Sequence, residues 1–255
     1  MVDIPPLAAH PPLAHDVAAH RGSPVRYAFP DNSIAAIESA SQSSIPFIEI
    51  DVRLSQQGDL FLFHDGSLKS SNSFSPARLH GLPIGSLSRE QRSEVFLDRN
   101  RSLTIPTFEA ALSAMQTGSG ALQVDLKGES DQLALRVLEV AQSMGLMSRV
   151  LIQVRSPDRV AIIRKSFPEA RILARCVSPE ALQIAIAQRV EYVELERWIS
   201  SEAISAAHRA GIKVLINLAT SRLDESASWE YFRSRGVDSI MSDRAAEHNA
   251  STPNR

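Results

Sequence analysis

Cysteine is nearly absent. Cys176 is the one cysteine in 255 residues, which excludes an internal disulfide framework and any structural zinc site built on cysteines. Long apolar runs are missing as well: no stretch approaches the roughly 20 residues that a membrane span needs. The first residues lack the basic start and continuous apolar stretch of a secretory signal, so cytoplasmic residence is the expectation. A charge excess is also lacking. Twenty-seven basic residues against 29 acidic ones leave a formal net charge of −2, which argues against a nucleic-acid surface or a polybasic membrane patch. Lysine is scarce (Lys69, Lys127, Lys165 and Lys213), so the cationic side is mostly arginine, read as solvated surface.

What is present is an ordinary globular composition, 44% hydrophobic and 22% charged. Residues 1–15 carry a near-repeat, Pro5-Pro6-Leu7-Ala8-Ala9-His10 and then Pro11-Pro12-Leu13-Ala14-His15. Paired prolines block helix and deny ladder hydrogen bonds, so a proline-rich N-terminal arm is expected there. Residues 16–250 are expected to form one domain.

Beyond the arm, short apolar runs alternate with helical patterns. Strands are expected at 17–19, 47–54, 121–126, 150–154, 171–176, 192–195, 213–218 and 239–241, with a further short apolar run at 60–63. Helices are expected at 32–44, 88–97, 107–115, 131–144 and around 229–232. Three more are expected to open at Ser156-Pro157-Asp158, Ser178-Pro179-Glu180 and Ser200-Ser201-Glu202. A hydroxyl cap, a proline at the first helical position and an acid near the positive end of the dipole make a strong helix start. Eight short apolar strands alternating with helices argue for a closed (β/α)₈ TIM barrel over an open sheet. One connection, 66–104, is too long for a plain loop. It is either a lid or substrate wall, or an unstructured insertion after the second strand.

Four clusters lie at or near the C-terminal ends of the first three strands, the rim where such barrels keep their chemistry. His20-Arg21-Gly22 offers an imidazole that titrates near neutrality and a guanidinium fork suited to phosphate; a structural histidine is the bland reading. Glu49 and Asp51 stand two apart on one strand and face the same way. They form either an interior ion-pair network with Arg53 or another arginine, or a hard-oxygen divalent site. His64-Asp65 gives a histidine with a carboxylate that could orient it, or a plain loop histidine. Gln123, Asp125 and Lys127 share a face. Asp125 could be a third ligand and Lys127 a point charge for phosphate, or the two could be a simple interior pair.

The ordered motifs Ala19-His20-Arg21-Gly22, Pro30-Asp31-Asn32-Ser33, Ile48-Glu49-Ile50-Asp51-Val52, Phe63-His64-Asp65 and Ile105-Pro106-Thr107-Phe108-Glu109 resemble the glycerophosphodiester phosphodiesterase family. Gly236-Val237-Asp238-Ser239-Ile240-Met241-Ser242-Asp243-Arg244 resembles its closing motif. The resemblance implies a TIM barrel and one divalent cation, Mg²⁺ or Ca²⁺. It also implies hydrolysis of a small-molecule phosphodiester to a phosphomonoester and an alcohol. By position it makes His20 and His64 the acid–base pair, Glu49, Asp51 and Asp125 the metal ligands, and Arg21 and Lys127 the phosphate-binding groups. Asp125 stands where the family usually has glutamate; the related spider-toxin-type phospholipases D carry the same Asp-x-Lys. Ile216-Asn217-Leu218 replaces the family's Trp-Thr motif. That change, with Gln153, Arg175, Glu194 and Glu196, suits a polyol and opens a sugar phosphodiester of the agrocinopine type as substrate. Transfer to a substrate hydroxyl, and a non-catalytic barrel that binds a phosphorylated ligand, are the rival functions.

Overall fold

The computed structural model describes residues 16–128, 130–196 and 199–250. The expected arm, 1–15, lies outside them. Nine strands run in chain order: β1 (Asp16–Ala19), β2 (Phe47–Leu54), β3 (Leu60–Leu62), β4 (Ala121–Leu126), β5 (Val150–Val154), β6 (Arg171–Cys176), β7 (Tyr192–Leu195), β8 (Lys213–Asn217) and β9 (Ser239–Ser242). Eight of them are parallel staves, paired in the circuit β1-β9-β8-β7-β6-β5-β4-β2. The pairing of β1 with β2, Ala18 opposite Phe47, closes the barrel. The run at 60–63 is not a stave: β3 folds back antiparallel on β2, Val52 opposite Leu62.

The period of two sets both faces of every stave. Outward positions such as Ile48, Ile50, Val124, Ile152 and Val193 are fully buried in one large apolar shell shared with the helices. Inward, the barrel floor is plugged by Ala18, Phe47, Ala121, Leu151, Leu173, Tyr192, Leu215 and Met241, one from each stave. Two residues further along each strand the inward positions turn polar: His20, Glu49, Gln123, Gln153, Arg175, Glu194, Asn217 and Asp243. Four residues along stand Asp51 and Asp125. A floor of hydrocarbon below a polar layer puts the chemistry at the C-terminal mouth.

The expected helices mostly form: α1 (Ile34–Gln42), α2 (Arg89–Ser93), α3 (Phe108–Ala114), α4 (Asp131–Ser143), α5 (Val160–Ser166), α6 (Pro179–Ala187), α7 (Ser201–Arg209) and α8 (Ser226–Ser234). A ninth, α9 (Ala245–Ala250), follows the last strand. Ser33, Ser178 and Ser200 cap α1, α6 and α7 by accepting the amides of Ala36, Ala181 and Ala203. Ser156 makes no such bond; Pro157–Arg159 form a single 3₁₀ turn before α5.

Helix α2 is much shorter than 88–97 because Phe96 leaves it to exchange backbone hydrogen bonds with Phe74. The long insertion is ordered. Leu68, Leu79, Ile84, Leu87 and Val95 pack with Phe61 and Phe63 into a satellite core. Within it the buried Arg92 donates to Asp59 at 2.6 Å and to the Leu87 carbonyl at 2.6 Å.

Candidate active site

A tight turn after β1 begins the site. Arg21 and Gly22 both take positive φ, 52° and 84°, a conformation that costs a non-glycine residue energy and is held where the surroundings enforce it. The turn aims the Arg21 amide at Glu49 Oε2, 2.7 Å away. Its guanidinium donates to Asp31 Oδ2 at 2.7 Å. Its carbonyl accepts the Asn32 amide at 2.7 Å. Asn32 then clamps Asp51 from both sides: its Nδ2 donates to Asp51 Oδ2 at 2.7 Å, and its Oδ1 accepts the Asp51 amide at 2.9 Å.

Glu49, Asp51 and Asp125 each present a carboxylate oxygen, and the three oxygens lie within 4.8 Å of one another, all on buried residues. β2 supplies two and β4 the third, with Asp51 directly opposite Asp125 in the parallel register. Lys127 Nζ bridges these last two, 2.8 Å from Asp51 Oδ1 and 2.5 Å from Asp125 Oδ2. Burial, with repulsion from Asp51 and Asp125 added, holds the Glu49 carboxyl well above the usual carboxylate range. At Asp51 burial also favours the neutral acid, but the Lys127 ammonium and the Lys127 and Asn32 hydrogen bonds outweigh it and keep that carboxyl low.

This donor set fits a divalent cation. It is made of hard oxygens, Lys127 offsets one of three like charges, and Asp125 Oδ1 is buried without a hydrogen-bond partner among the described residues. A buried acceptor left unpaired is costly unless something outside the protein satisfies it.

Two histidines border this cage, each with Nδ1 against a carboxylate. His20 Nδ1 lies 2.7 Å from Asp243 Oδ1, and His64 Nδ1 lies 2.7 Å from Asp65 Oδ1. Each carboxylate accepts from one ring nitrogen, which fixes the ring and leaves Nε2 for a ligand. Burial disfavours ionisation at Asp243 and Asp65. The bond to His20 at Asp243, and the bonds to Asn72 and His64 at Asp65, prevail and hold both carboxyls low. His64 shares a cavity lining with Arg21 and Asn32, and His20 shares another with Arg21 and Asp243.

The structure thus brings the seven residues singled out in the sequence to one mouth. It adds two that sequence reasoning had left without a role. Asp243 and Asn32 sit inside quoted motifs, and that was the available signal. Arg53 does not pair with Glu49 or Asp51; its guanidinium donates to the carbonyls of Phe63, His64 and Lys127 at 2.8, 2.5 and 3.2 Å, tying β3 and the His64 loop to β4.

On the far side of the barrel interior, Gln123 Nε2 donates to Gln153 Oε1 at 2.9 Å and Gln153 Nε2 donates to Glu194 Oε2 at 2.6 Å. Burial is the main cause that pushes the Glu194 carboxyl up to about 7. Its folded value therefore lies above its unfolded one, and the native state holds an extra proton between the two. Stability should fall as pH rises from about 4.5 to about 7 and level off above, by at most ~3 kcal/mol from this group. Glu194→Gln keeps an acceptor for Gln153 and removes the titration. Denaturant unfolding of variant and wild type at pH 5 and pH 8 should show the variant gaining on the wild type at pH 8. Equal pH dependence in the two proteins would place the Glu194 titration elsewhere.

A family model described as the glycerophosphoryl diester phosphodiesterase family matches residues 20–247. Among curated proteins, a glycerophosphodiester phosphodiesterase of Bacillus altitudinis is 26% identical over 61% of this chain and 64% of its own length. The chain thus spans just under two thirds of that relative. Among solved structures, a Galdieria sulphuraria protein superposes with a TM-score of 0.80 at 21% identity, over 92% of this chain and 97% of the other. A phosphodiesterase of Oleispira antarctica, solved in complex with the product sn-glycerol-3-phosphate, superposes with a TM-score of 0.74 at 19% identity, over 92% and 95%. At these identities the superpositions speak for the barrel fold. No helix among the described residues is long and apolar enough to cross a membrane.

Proposed function

The chain belongs to the glycerophosphoryl diester phosphodiesterase family, and from that premise we propose that it hydrolyses a glycerophosphodiester-like phosphodiester. The products are a phosphomonoester, such as sn-glycerol 3-phosphate or a sugar phosphate, and an alcohol. The observation that carries the reading is the meeting of three buried carboxylates with two carboxylate-held histidines at one barrel mouth. A non-catalytic phosphate-binding barrel has no use for two imidazoles held in that way.

Glu49, Asp51 and Asp125 would hold one Mg²⁺ or Ca²⁺. A bound divalent cation supplies polarisation of a phosphate oxygen and a lowered pKa at a nearby hydroxyl or water. The rest falls to the chain's own groups. Arg21 offers planar donors, and its buried Nε has no hydrogen-bond partner among the described residues. Lys127 adds a point charge, and together they offset the equatorial oxygens as charge develops. One histidine takes the proton of the attacking hydroxyl through Nε2, and the other returns a proton to the leaving alkoxide. Both rings turn Nδ1 to a carboxylate at 2.7 Å, and that contact does not divide the two roles. Asp125 followed two residues on by Lys127 favours a second reading of the same chemistry, in which a neighbouring substrate hydroxyl attacks phosphorus, the P–O bond to the alcohol breaks, and the products are a cyclic phosphate and the protonated alcohol.

The test is a panel of glycerophosphocholine, a lysophospholipid and a sugar phosphodiester, each with Mg²⁺, with Ca²⁺ and with excess chelator, and with or without an alcohol acceptor. Phosphomonoester and alcohol should form only with a divalent ion. Full turnover by metal-free protein in chelator refutes the metal role. Cyclic phosphate or acceptor adducts establish transfer. Binding without turnover of any diester leaves the barrel a binding protein.

A further inference from the structure

His20 and His64 each meet a carboxylate, but the two carboxylates are held by different means. Asp65 accepts from the Asn72 side chain at 2.6 Å, and the His64 side chain is 39% exposed. Asp243 is gripped by the loop that joins β8 to α8, residues 218–225, and the His20 side chain is 12% exposed. We propose that Asp224, in that loop, is a positioning residue: it fixes Asp243, and through Asp243 the ring of His20. The proposal rests on the phosphodiesterase reading above, in which His20 exchanges a proton.

The division of its oxygens is the first reason. Asp224 is buried. Its Oδ1 accepts the Trp229 indole N–H at 3.0 Å and the Ser242 hydroxyl at 2.7 Å. Its Oδ2 accepts the Asp243 amide at 2.8 Å. A carboxylate taken out of water is costly unless donors meet its oxygens, and here three do. Two of them orient the group. The third is the backbone of the residue that holds His20.

The path of the loop is the second. Thr220 has a φ of 62°, a left-handed conformation that a β-branched residue adopts only where its surroundings enforce it. That turn sends the Thr220 amide to Asp243 Oδ2 at 2.9 Å and leaves Oδ1 to His20 Nδ1. The loop is itself fastened down. The Leu218 and Ala219 amides donate to the Met241 carbonyl at 3.0 and 3.1 Å, and the Arg244 guanidinium donates to the Asp224 carbonyl at 3.2 Å. One loop thus holds the amide and the carboxylate of Asp243 together, so the side chain cannot turn without breaking a bond. Proton transfer is sensitive to such small displacements. A carboxylate kept only to pair Trp229 and Ser242 would cost stability on removal; a positioning one costs a rate that depends on His20.

Asp224→Asn keeps the size and turns an N–H₂ group towards one of the three donors. With glycerophosphocholine and Mg²⁺, kcat should fall about tenfold, the low end of what outer partners of a site supply, with KM within about twofold. In a His20→Ala background the same substitution should change kcat by less than about twofold, because no ring is left to position. Trp229→Phe removes one donor that orients Asp224 and keeps the carboxylate. It should act in the same way at about threefold, and it decides the matter if Asp224→Asn does not fold. The ring is read directly by NMR of protein labelled with ¹⁵N-histidine. The Nδ1–H signal of His20, identified by its loss in His20→Ala, should be sharp in wild type and broadened by solvent exchange in both loop variants. A loss of rate that is equal with and without His20, no loss at all, or a His20 signal unchanged in the variants overturns the proposal. If wild type does not turn the ester over, the hydrolase reading fails there and the NMR signal decides alone: broadening in the variants upholds the positioning, and a signal alike in all three proteins, or missing from wild type, ends it.

Discussion

Alanine at His20 should lower phosphodiester turnover by about 10²-fold or more, and alanine at His64 should do the same, the usual minimum for an acid–base group. The expectation comes from the way each ring is held. Asp243 and Asp65 each accept from Nδ1 at 2.7 Å, so each imidazole is fixed in orientation and tautomer, with Nε2 left for proton exchange. Removing one ring interrupts proton uptake from the nucleophile or proton return to the leaving group; removing both should cost little more than removing one, because the two act in a single displacement. Steady-state kinetics on the two single variants and the double variant check this. A near-normal rate in either single variant rejects that histidine as a catalytic residue. A leaving-group test separates the roles. A nitrophenyl ester needs little proton return, so the variant lacking the general acid should recover on it, and the variant lacking the base should not.

Much of this mouth was legible because inward strand positions recur every two residues. Glu49 and Asp51, and likewise Asp125, stand on apolar strands where a carboxylate has no hydrophobic reason to be. Chemistry on a strand announces itself against that background. The closure was legible from counting strands, since eight βα units fill the chain. What was not legible depended on contacts distant in sequence. The hold of Asp243 on His20 spans 223 residues, and only the closure of β9 onto β1 brings the two together. Arg53 looked like a partner for the carboxylates because it shares their strand. In the fold it serves loop carbonyls instead, because the chain leaving β3 has backbone acceptors to satisfy and Lys127 already bridges Asp51 to Asp125. The helix expected over 88–97 failed for a tertiary reason. Phe96 gains a backbone partner in Phe74 that helical propensity cannot offer, and the insertion folds around that pairing.

Glu49→Gln should separate stability from activity in opposite directions. In the ion-free protein Glu49 is buried beside Asp51 and Asp125, and burial, with their repulsion added, keeps its carboxyl high. Glutamine removes that repulsion and still accepts the Arg21 amide through its carbonyl. The variant without divalent ion should therefore be at least as stable as wild type, by about 1 kcal/mol in its favour. The wild type should gain on adding Mg²⁺ or Ca²⁺, by about 2.7 kcal/mol at a hundredfold excess over Kd, because an ion that binds only the folded chain stabilises it by mass action. The variant should lose most of that gain, and its turnover should fall by about 10²-fold or more as the cage loses a charged ligand. Thermal unfolding with and without ion, beside the rate, reads all three. A variant less stable than wild type in chelator and as responsive to the ion would show that Glu49 is held for structure and that the cation, if one binds, sits elsewhere. The opposite result would mean that the fold carries a destabilised trio of acids at its mouth for the sake of the ion they hold.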